Sequence, residues 1–245
     1  MKKNYINSVF VLGSTSEIAR SIIFELAYQG CKKFHLVARD PYENEKIAIQ
    51  LKKFSSVQVS LQETDLFNSS EINSQNNNFI DDFDLYLIAA GYLGDTQLAN
   101  VDYREALKIT NINYSGLLKW ITNIVTPSRI LKSGRLWILS SVSSDRGRPS
   151  NYHYGASKAA LNVFCEGIFL RCVNKPFSVR IIKAGFVYTR MSKDIAPRSL
   201  SISPKLAAKH LLRKPNKRGF EYLPWWWFFI MRIIKSLPPS FAAKI

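Results

Sequence analysis

Three polar residues set out the chemistry this chain could perform. Ser141 closes the apolar run "LWILSS", Tyr154 follows thirteen residues later, and Lys158 stands four beyond the tyrosine. On a helix that starts near Tyr154, residues four apart are neighbours, so the ammonium lies near the phenol. A free tyrosine ionises at about pH 10, and a nearby cation favours the phenolate, which predicts a pKa drawn towards working pH. Such a group exchanges a proton with a carbonyl or alcohol oxygen, and Ser141 can hold that oxygen by hydrogen bonding. The three together suit a site that polarises a carbonyl while a hydride arrives. A tyrosine and a lysine four apart are common on ordinary helix surfaces; the upstream serine and a phosphate-type turn near the N-terminus give this pair its weight.

That turn lies in "VFVLGSTSEIAR" (9–20). Gly13 follows an apolar run, and Ser16 can cap a helix beginning near Glu17, which aims free N–H groups and the positive end of the helix dipole at the turn. The result is an anion site. Glu17 and Ala19 occupy positions where a glycine-rich loop has glycines, so Glu17 brings a negative charge to the site unless its side chain turns away. At the end of "HLVARD", the guanidinium of Arg39 can pair with a ribose 2′-phosphate, whereas Asp40 beside it could accept from a 2′-hydroxyl. Arg39 favours NADP(H) over NAD(H). The small residues Ala89, Ala90 and Gly91 in "IAAGYLGD" would let a ribose lie against a strand end, and Asp65 in "ETDLF" could accept from an adenine amino group; turn chemistry accounts equally well for both.

These turns need strands and helices to position them. β-branched runs predict strands near 8 to 12, 34 to 38, 57 to 61, 84 to 89, 135 to 140, 178 to 183 and 220 to 223. Helix-period segments between them predict helices near 16 to 29, 41 to 54, 102 to 112, 114 to 131, 152 to 173 and 204 to 213. "DLYLIA" is almost continuously apolar, as expected where helices cover both faces of a parallel sheet. The fold class is therefore α/β, a doubly wound parallel sheet of seven strands with helices on both faces. "SSEINSQNNN" (69–78) reads as a helix end plus loop. A single domain over 1–223 is followed by an aromatic, basic segment over 224–245. Cys31, Cys165 and Cys172 have no CxxC or zinc spacing and read as buried thiols, and no metal is expected.

The net charge is +16, and residues 205–245 hold nine Lys or Arg against the single acid Glu221. In "YLPWWWFFIMRIIKSLPPSFAAKI" (222–245), the apolar stretch Leu223–Met231 is far shorter than the roughly 20 residues a membrane-crossing helix needs. Its Trp and Phe residues, beside Arg232, Lys235 and Lys244, fit an interfacial segment on an anionic membrane surface. Packing on the protein's own body or on a twin subunit is the other reading. No nucleic-acid signature accompanies the charge, so no nucleic-acid partner is expected. The apolar run Val9–Leu12 after Lys2 and Lys3 is too short for a signal peptide, which predicts a cytoplasmic protein at the inner face of the cell membrane.

Gly13, Ala89 to Gly91, Asn113 in "NINYSG", Ser141, Tyr154 and Lys158 match the short-chain dehydrogenase/reductase family in order and spacing, and "GFVYT" (185–189) resembles its motif after the sixth strand. The resemblance covers residues 8 to about 223. It implies a Rossmann-type NAD(P)(H) oxidoreductase in which Tyr154 is the proton donor, Lys158 orients the nicotinamide ribose, Ser141 positions the substrate and Asn113 supports a water-linked proton path. It also implies cofactor contacts from Gly13, Thr15, Ser16, Glu17, Ile18, Arg39, Asp65, Leu66, Ala89, Ala90, Gly91, Tyr154, Lys158, Gly185, Val187 and Thr189. The chain departs from the family's TGxxxGxG at Leu12, Glu17 and Ala19, from its NAG at Ala89, and from its PG at Ala184.

"GSTSEIA", "AAGYLGD" and "GFVYTRM", followed by the aromatic tail, resemble reductases of the decaprenylphosphoryl-2-keto-erythro-pentose type. That resemblance implies NADPH reduction of the 2-keto group of a polyprenyl-phosphate-linked pentofuranose, the second step of ribose-to-arabinose epimerisation. A flavin oxidase would supply the ketone, and family members often associate as homo-oligomers. The alternatives are a reductase of another amphiphilic ketone, such as a 3-keto lipid, and a non-enzymatic dinucleotide-binding or scaffold protein.

Overall fold

Val9, Phe10, Val11 and Leu12 in β1 (Ser8–Leu12) are all buried, because side chains alternate across a strand and both faces of this one are covered. Val9 and Val11 enter one core with Ile22, Ile23 and Leu26 of α1 (Glu17–Tyr28), Ile47 and Leu51 of α2 (Pro41–Leu51) and Leu211 of α7 (Pro204–Arg213). Phe10 and Leu12 enter a second core with Leu117, Trp120 and Ile121 of α5 (Gly116–Ile124) and Leu161, Cys165 and Ile168 of α6 (Tyr152–Arg171). The computed structural model describes residues 6–68 and 82–244.

β1 pairs on one side with β2 (Lys33–Ala38) and on the other with β4 (Leu85–Ile88). With β3 (Gln58–Glu63), β5 (Gly134–Ser141), β6 (Phe177–Ala184) and β7 (Gly219–Leu223), they form a seven-stranded parallel sheet in the order β3-β2-β1-β4-β5-β6-β7. The expected doubly wound fold is present. Its winding reverses between β1 and β4, and ligands of such sheets bind beyond the carboxyl ends of the strands at that point.

Several predicted boundaries move for identifiable reasons. The helix expected over 114 to 131 ends at Ile124, shortly before Pro127, since the residue preceding a proline is disfavoured in helical conformation. A π-helical turn over Asn111–Ser115 joins α4 (Tyr103–Thr110) to α5, where one continuous period had suggested two abutting helices. The short α3 (Thr96–Ala99), capped by Asp95, was not expected. The polar patch over 69–78 lies outside the described residues. The three cysteines are buried and free.

Beyond β7 the chain forms α8 (Trp227–Ser236) and α9 (Pro239–Ala242). Trp227 and Met231 are buried against Val142, with Phe186, Tyr222 and Ile230 packed around them. Arg146 donates to the carbonyls of Ile234 and Lys235 at the end of α8. The outward side carries Trp225, Phe229, Ile233 and Phe241, each more than half exposed. Residues 224–244 therefore have one face on the protein's own body and one open. No described helix is long and apolar enough to cross a membrane.

Candidate active site

β1 ends in a turn that the sheet pulls tight. Gly13 adopts φ +87°, and its N–H donates to Val37 O at 2.8 Å. A Cβ at Gly13 would lie 2.4 Å from Ala90 N, so only glycine lets the turn meet the end of β4 this closely. Ser16 occupies the N-cap of α1 but makes no capping hydrogen bond from its side chain, contrary to the expected cap. Its own N–H is already turned back onto Gly13 O at 3.0 Å, and the first-turn amides of α1 are left for a ligand. The Glu17 carboxylate accepts from Arg190 N at 2.6 Å, with Arg190 Nε 3.9 Å away. It thus closes the mouth between α1 and the loop after β6 rather than standing as an unpaired charge.

At the end of β2, Asp40 accepts from Glu43 N at 3.0 Å as the cap of α2, which leaves Arg39 as the exposed polar head at that strand tip. Asp65 accepts from Phe67 N and from Asn68 Nδ2, the turn chemistry that its sequence context allowed.

The carbonyl-polarising trio is assembled. β5 delivers Ser141, and the first turns of α6 deliver Tyr154 and Lys158. Lys158 is buried, with Nζ 3.4 Å from Leu139 O and 5.8 Å from the centre of the Tyr154 ring. Desolvation pushes the Tyr154 phenol up to about 12, against a smaller downward pull from its hydrogen bond with Ser141. This reverses the direction expected from the lysine: at this depth the cost of burying a phenolate outweighs the stabilisation it receives. Desolvation also brings the Lys158 ammonium down to about 8. Near neutral pH the tyrosine holds its proton and most of the lysine is charged.

Asn113 sits apart from the cleft wall. It is fully buried, its Nδ2 donating to Tyr92 O at 2.7 Å and its Oδ1 accepting from Tyr92 N at 3.0 Å. Those bonds fix the turn after β4 and leave one amide hydrogen and one oxygen lone pair. A Cβ on Gly91 would lie 3.3 Å from Asn113 Oδ1 and 3.4 Å from Lys158 Nζ, so both side chains converge beneath that glycine.

Every other predicted site residue lines one cleft of about 1040 Å³: Gly13, Thr15, Ser16, Glu17 and Ile18 from the first turn, Arg39, Asp65 and Leu66, Ala89 to Gly91, Ser141, Tyr154 and Lys158, and Gly185, Val187 and Thr189. Sequence reasoning missed Trp227, whose indole packs so closely on Gly185 that a Cβ there would stand 2.2 Å from Nε1. The spacing of Trp227, Ile230, Met231 and Ile234 is an i, i+3, i+4, i+7 signal that could have revealed an inward face. Arg148, Ser143 and Asn151 also line the cleft and were passed over. Among the described residues no cluster could hold a metal ion.

The profile of the short chain dehydrogenase family matches residues 7–199. An uncharacterized oxidoreductase of Mycobacterium tuberculosis is 31% identical over 140 residues, 57% of this chain and 56% of that relative. A 3-oxoacyl-[acyl-carrier-protein] reductase of Chlamydia trachomatis is 26% identical over 141 residues, 56% of this chain and 57% of the relative. The chain thus matches little more than half the length of these relatives. Among solved structures, a short chain dehydrogenase from Shigella flexneri complexed with NADP superposes with a TM-score of 0.75 at 20% identity, over 90% of this chain and 98% of that one.

Proposed function

The chain belongs to the short-chain dehydrogenase family, and on that premise we propose that it is an NADP(H)-dependent reductase acting on the 2-keto group of a polyprenyl-phosphate-linked pentofuranose. The observation that carries the reductase assignment is the convergence of Ser141, a protonated Tyr154 and a buried Lys158 at the carboxyl end of β5, in the same cleft as the turns after β1 and β4. The glycine-only approach of the first turn to Ala90 and the uncapped start of α1 fit a dinucleotide pyrophosphate. Arg39, freed of competition by the capping role of Asp40, supports NADP(H) over NAD(H).

When bound, the nicotinamide supplies hydride to the carbonyl carbon. Tyr154 passes its proton to the carbonyl oxygen while Ser141 hydrogen-bonds the same oxygen. Lys158 places positive charge beside the phenolate that this leaves. Asn113 holds the Tyr92 turn and keeps a donor and an acceptor for a water on the return path of the proton.

The substrate reading draws on the motif resemblances and on the open aromatic face of α8 beside the cleft, which suits work at the inner face of a membrane on a lipid-linked ketone. A flavin oxidase would supply the ketone. The second reading, a 3-keto lipid as substrate, is favoured by the similarity to the 3-oxoacyl reductase. Assay of purified protein with NADPH separates them: oxidation on the keto-sugar lipid supports the first. Turnover of a 3-keto-acyl substrate with none on the sugar lipid replaces it with the second. A wild type that binds NADPH yet turns over neither points to a scaffold.

A further inference from the structure

Arg148 stands in the loop between the 3-10 turn Val142–Asp145 and α6 and lines the cleft. One guanidinium nitrogen donates to Ser143 Oγ at 2.9 Å, and Nε is buried without a partner among the described residues. No described carboxylate pairs with it. The nearest acid in sequence, Asp145, is committed to Lys183 Nζ at 2.5 Å and to the Tyr222 hydroxyl at 2.6 Å. The cleft's Arg190 is engaged by Glu17, and Arg39 lies at the far end beside β2. Arg148 is therefore a half-buried cation lining the cleft whose charge no described acid compensates, and desolvation draws its pKa below that of an ordinary arginine. Such burial is costly until an anion arrives.

Its position says which anion. Ser143 N donates to Ser141 Oγ at 3.1 Å, so the guanidinium is linked through one residue to the hydroxyl that holds the reacting carbonyl. Asn151 Nδ2 lies 3.3 Å from the same Ser143 Oγ, and its Oδ1 has no described partner. Val142, Phe186 and Trp227 supply an apolar wall across the cleft. We infer that Arg148, with Ser143 and Asn151, forms a subsite for a phosphate ester on the keto substrate itself, separate from the phosphates of the dinucleotide. This rests on the reductase reading and names the chemical class of its substrate: an amphiphile with a ketone and a phosphate ester close together. Guanidinium and phosphate pair by charge-assisted hydrogen bonds that a neutral alcohol cannot replace.

The test is calorimetric titration of full-length protein saturated with NADP+, which fills the dinucleotide's own phosphate sites. The probes are farnesyl phosphate, farnesol and inorganic phosphate. Farnesyl phosphate binds wild type about tenfold to a hundredfold more tightly than farnesol, Arg148→Gln removes that difference, and Arg148→Lys recovers part of it. NADPH titration of each variant reports separately on the folded dinucleotide site. A wild type that binds no NADPH brings down the reductase reading. Normal NADPH binding with farnesyl phosphate and farnesol held alike, or with the difference intact in Arg148→Gln, overturns the subsite alone. Inorganic phosphate binding as tightly as farnesyl phosphate contradicts the amphiphilic substrate.

Discussion

Two helices reach the same cleft on very different footings. α6 is anchored along its length: Lys158, Leu161, Cys165 and Ile168 are all buried against the sheet. α8 is anchored by Trp227 and Met231, while Phe229 and Ile233 on the same helix are more than half exposed. In the proposed mechanism α6 carries the proton chemistry and α8 supplies a wall of the cleft. Under the proposed function the difference is a division of labour: the titrating groups sit where a whole core excludes water, and the cleft wall on α8 is held by a few contacts.

The largest expected effect belongs to the deeply anchored helix. Tyr154→Phe removes the proton that the proposed mechanism passes to the carbonyl oxygen and is expected to lower kcat for ketone reduction by about a thousandfold, measured as NADPH oxidation. A rate within threefold of wild type would mean that α6 merely scaffolds the cleft, and the comparison would break.

Next comes the anchoring itself. Leu161→Ala in α6 is expected to cost about 2–5 kcal/mol of global stability in denaturant unfolding, as for other fully buried leucines. Trp227→Ala is expected to open α8 locally: hydrogen exchange of its amides quickens while those of α6 keep their protection. Loss of protection in both helices together would show that they form one cooperative unit.

The pH dependence follows the burial of Lys158. Its folded pKa of about 8 lies below the ordinary lysine value, so the charged form gives way to the neutral one as pH rises through 8. The rate of reduction is expected to fall on an alkaline limb with an apparent pKa of about 8, read from kcat against pH. For stability the sign is opposite: between about 8 and the ordinary lysine value the unfolded chain binds more protons, so Lys158 contributes stability that rises with pH across that window.

The smallest effect on the fold is expected at the open face of α8. Trp225→Ser with Phe229→Ser should change stability by less than about 0.5 kcal/mol per site, because both side chains are largely in solvent. The same double variant should sediment less with anionic vesicles than wild type does. Unchanged sedimentation would remove the membrane from the functional reading and leave α8 as a wall alone.

Legibility in the sequence tracks this contrast. The strands were readable because parallel strands covered on both faces carry apolar runs such as "DLYLIA", and the trio was readable because helix spacing puts Tyr154 and Lys158 on one face. The direction of the Tyr154 pKa was not, since spacing reports proximity to a cation and says nothing about how much water the fold removes. Asn113 was found by motif, but its bonds to the Tyr92 backbone depend on a π-helical turn that has no strong sequence mark. The triple tryptophan hid the inward residue among its neighbours: Trp225 is 62% exposed and Trp227 3%, and composition treats them alike. Arg148 stood in plain view between the serine and the tyrosine, yet its lack of an acidic partner among the described residues is a property of the folded loop.

The central claim is that the cleft binds a dinucleotide beside a proton-donating tyrosine. The most direct measurement follows the fate of deuteride from stereospecifically labelled NADPD in a single turnover, with Ser141→Ala, Tyr154→Phe and wild type compared at equal cofactor occupancy. The account predicts transfer of the label to the ketone carbon in wild type and little transfer in either variant. Equal transfer in all three, or cofactor bound with no transfer in any, would contradict it.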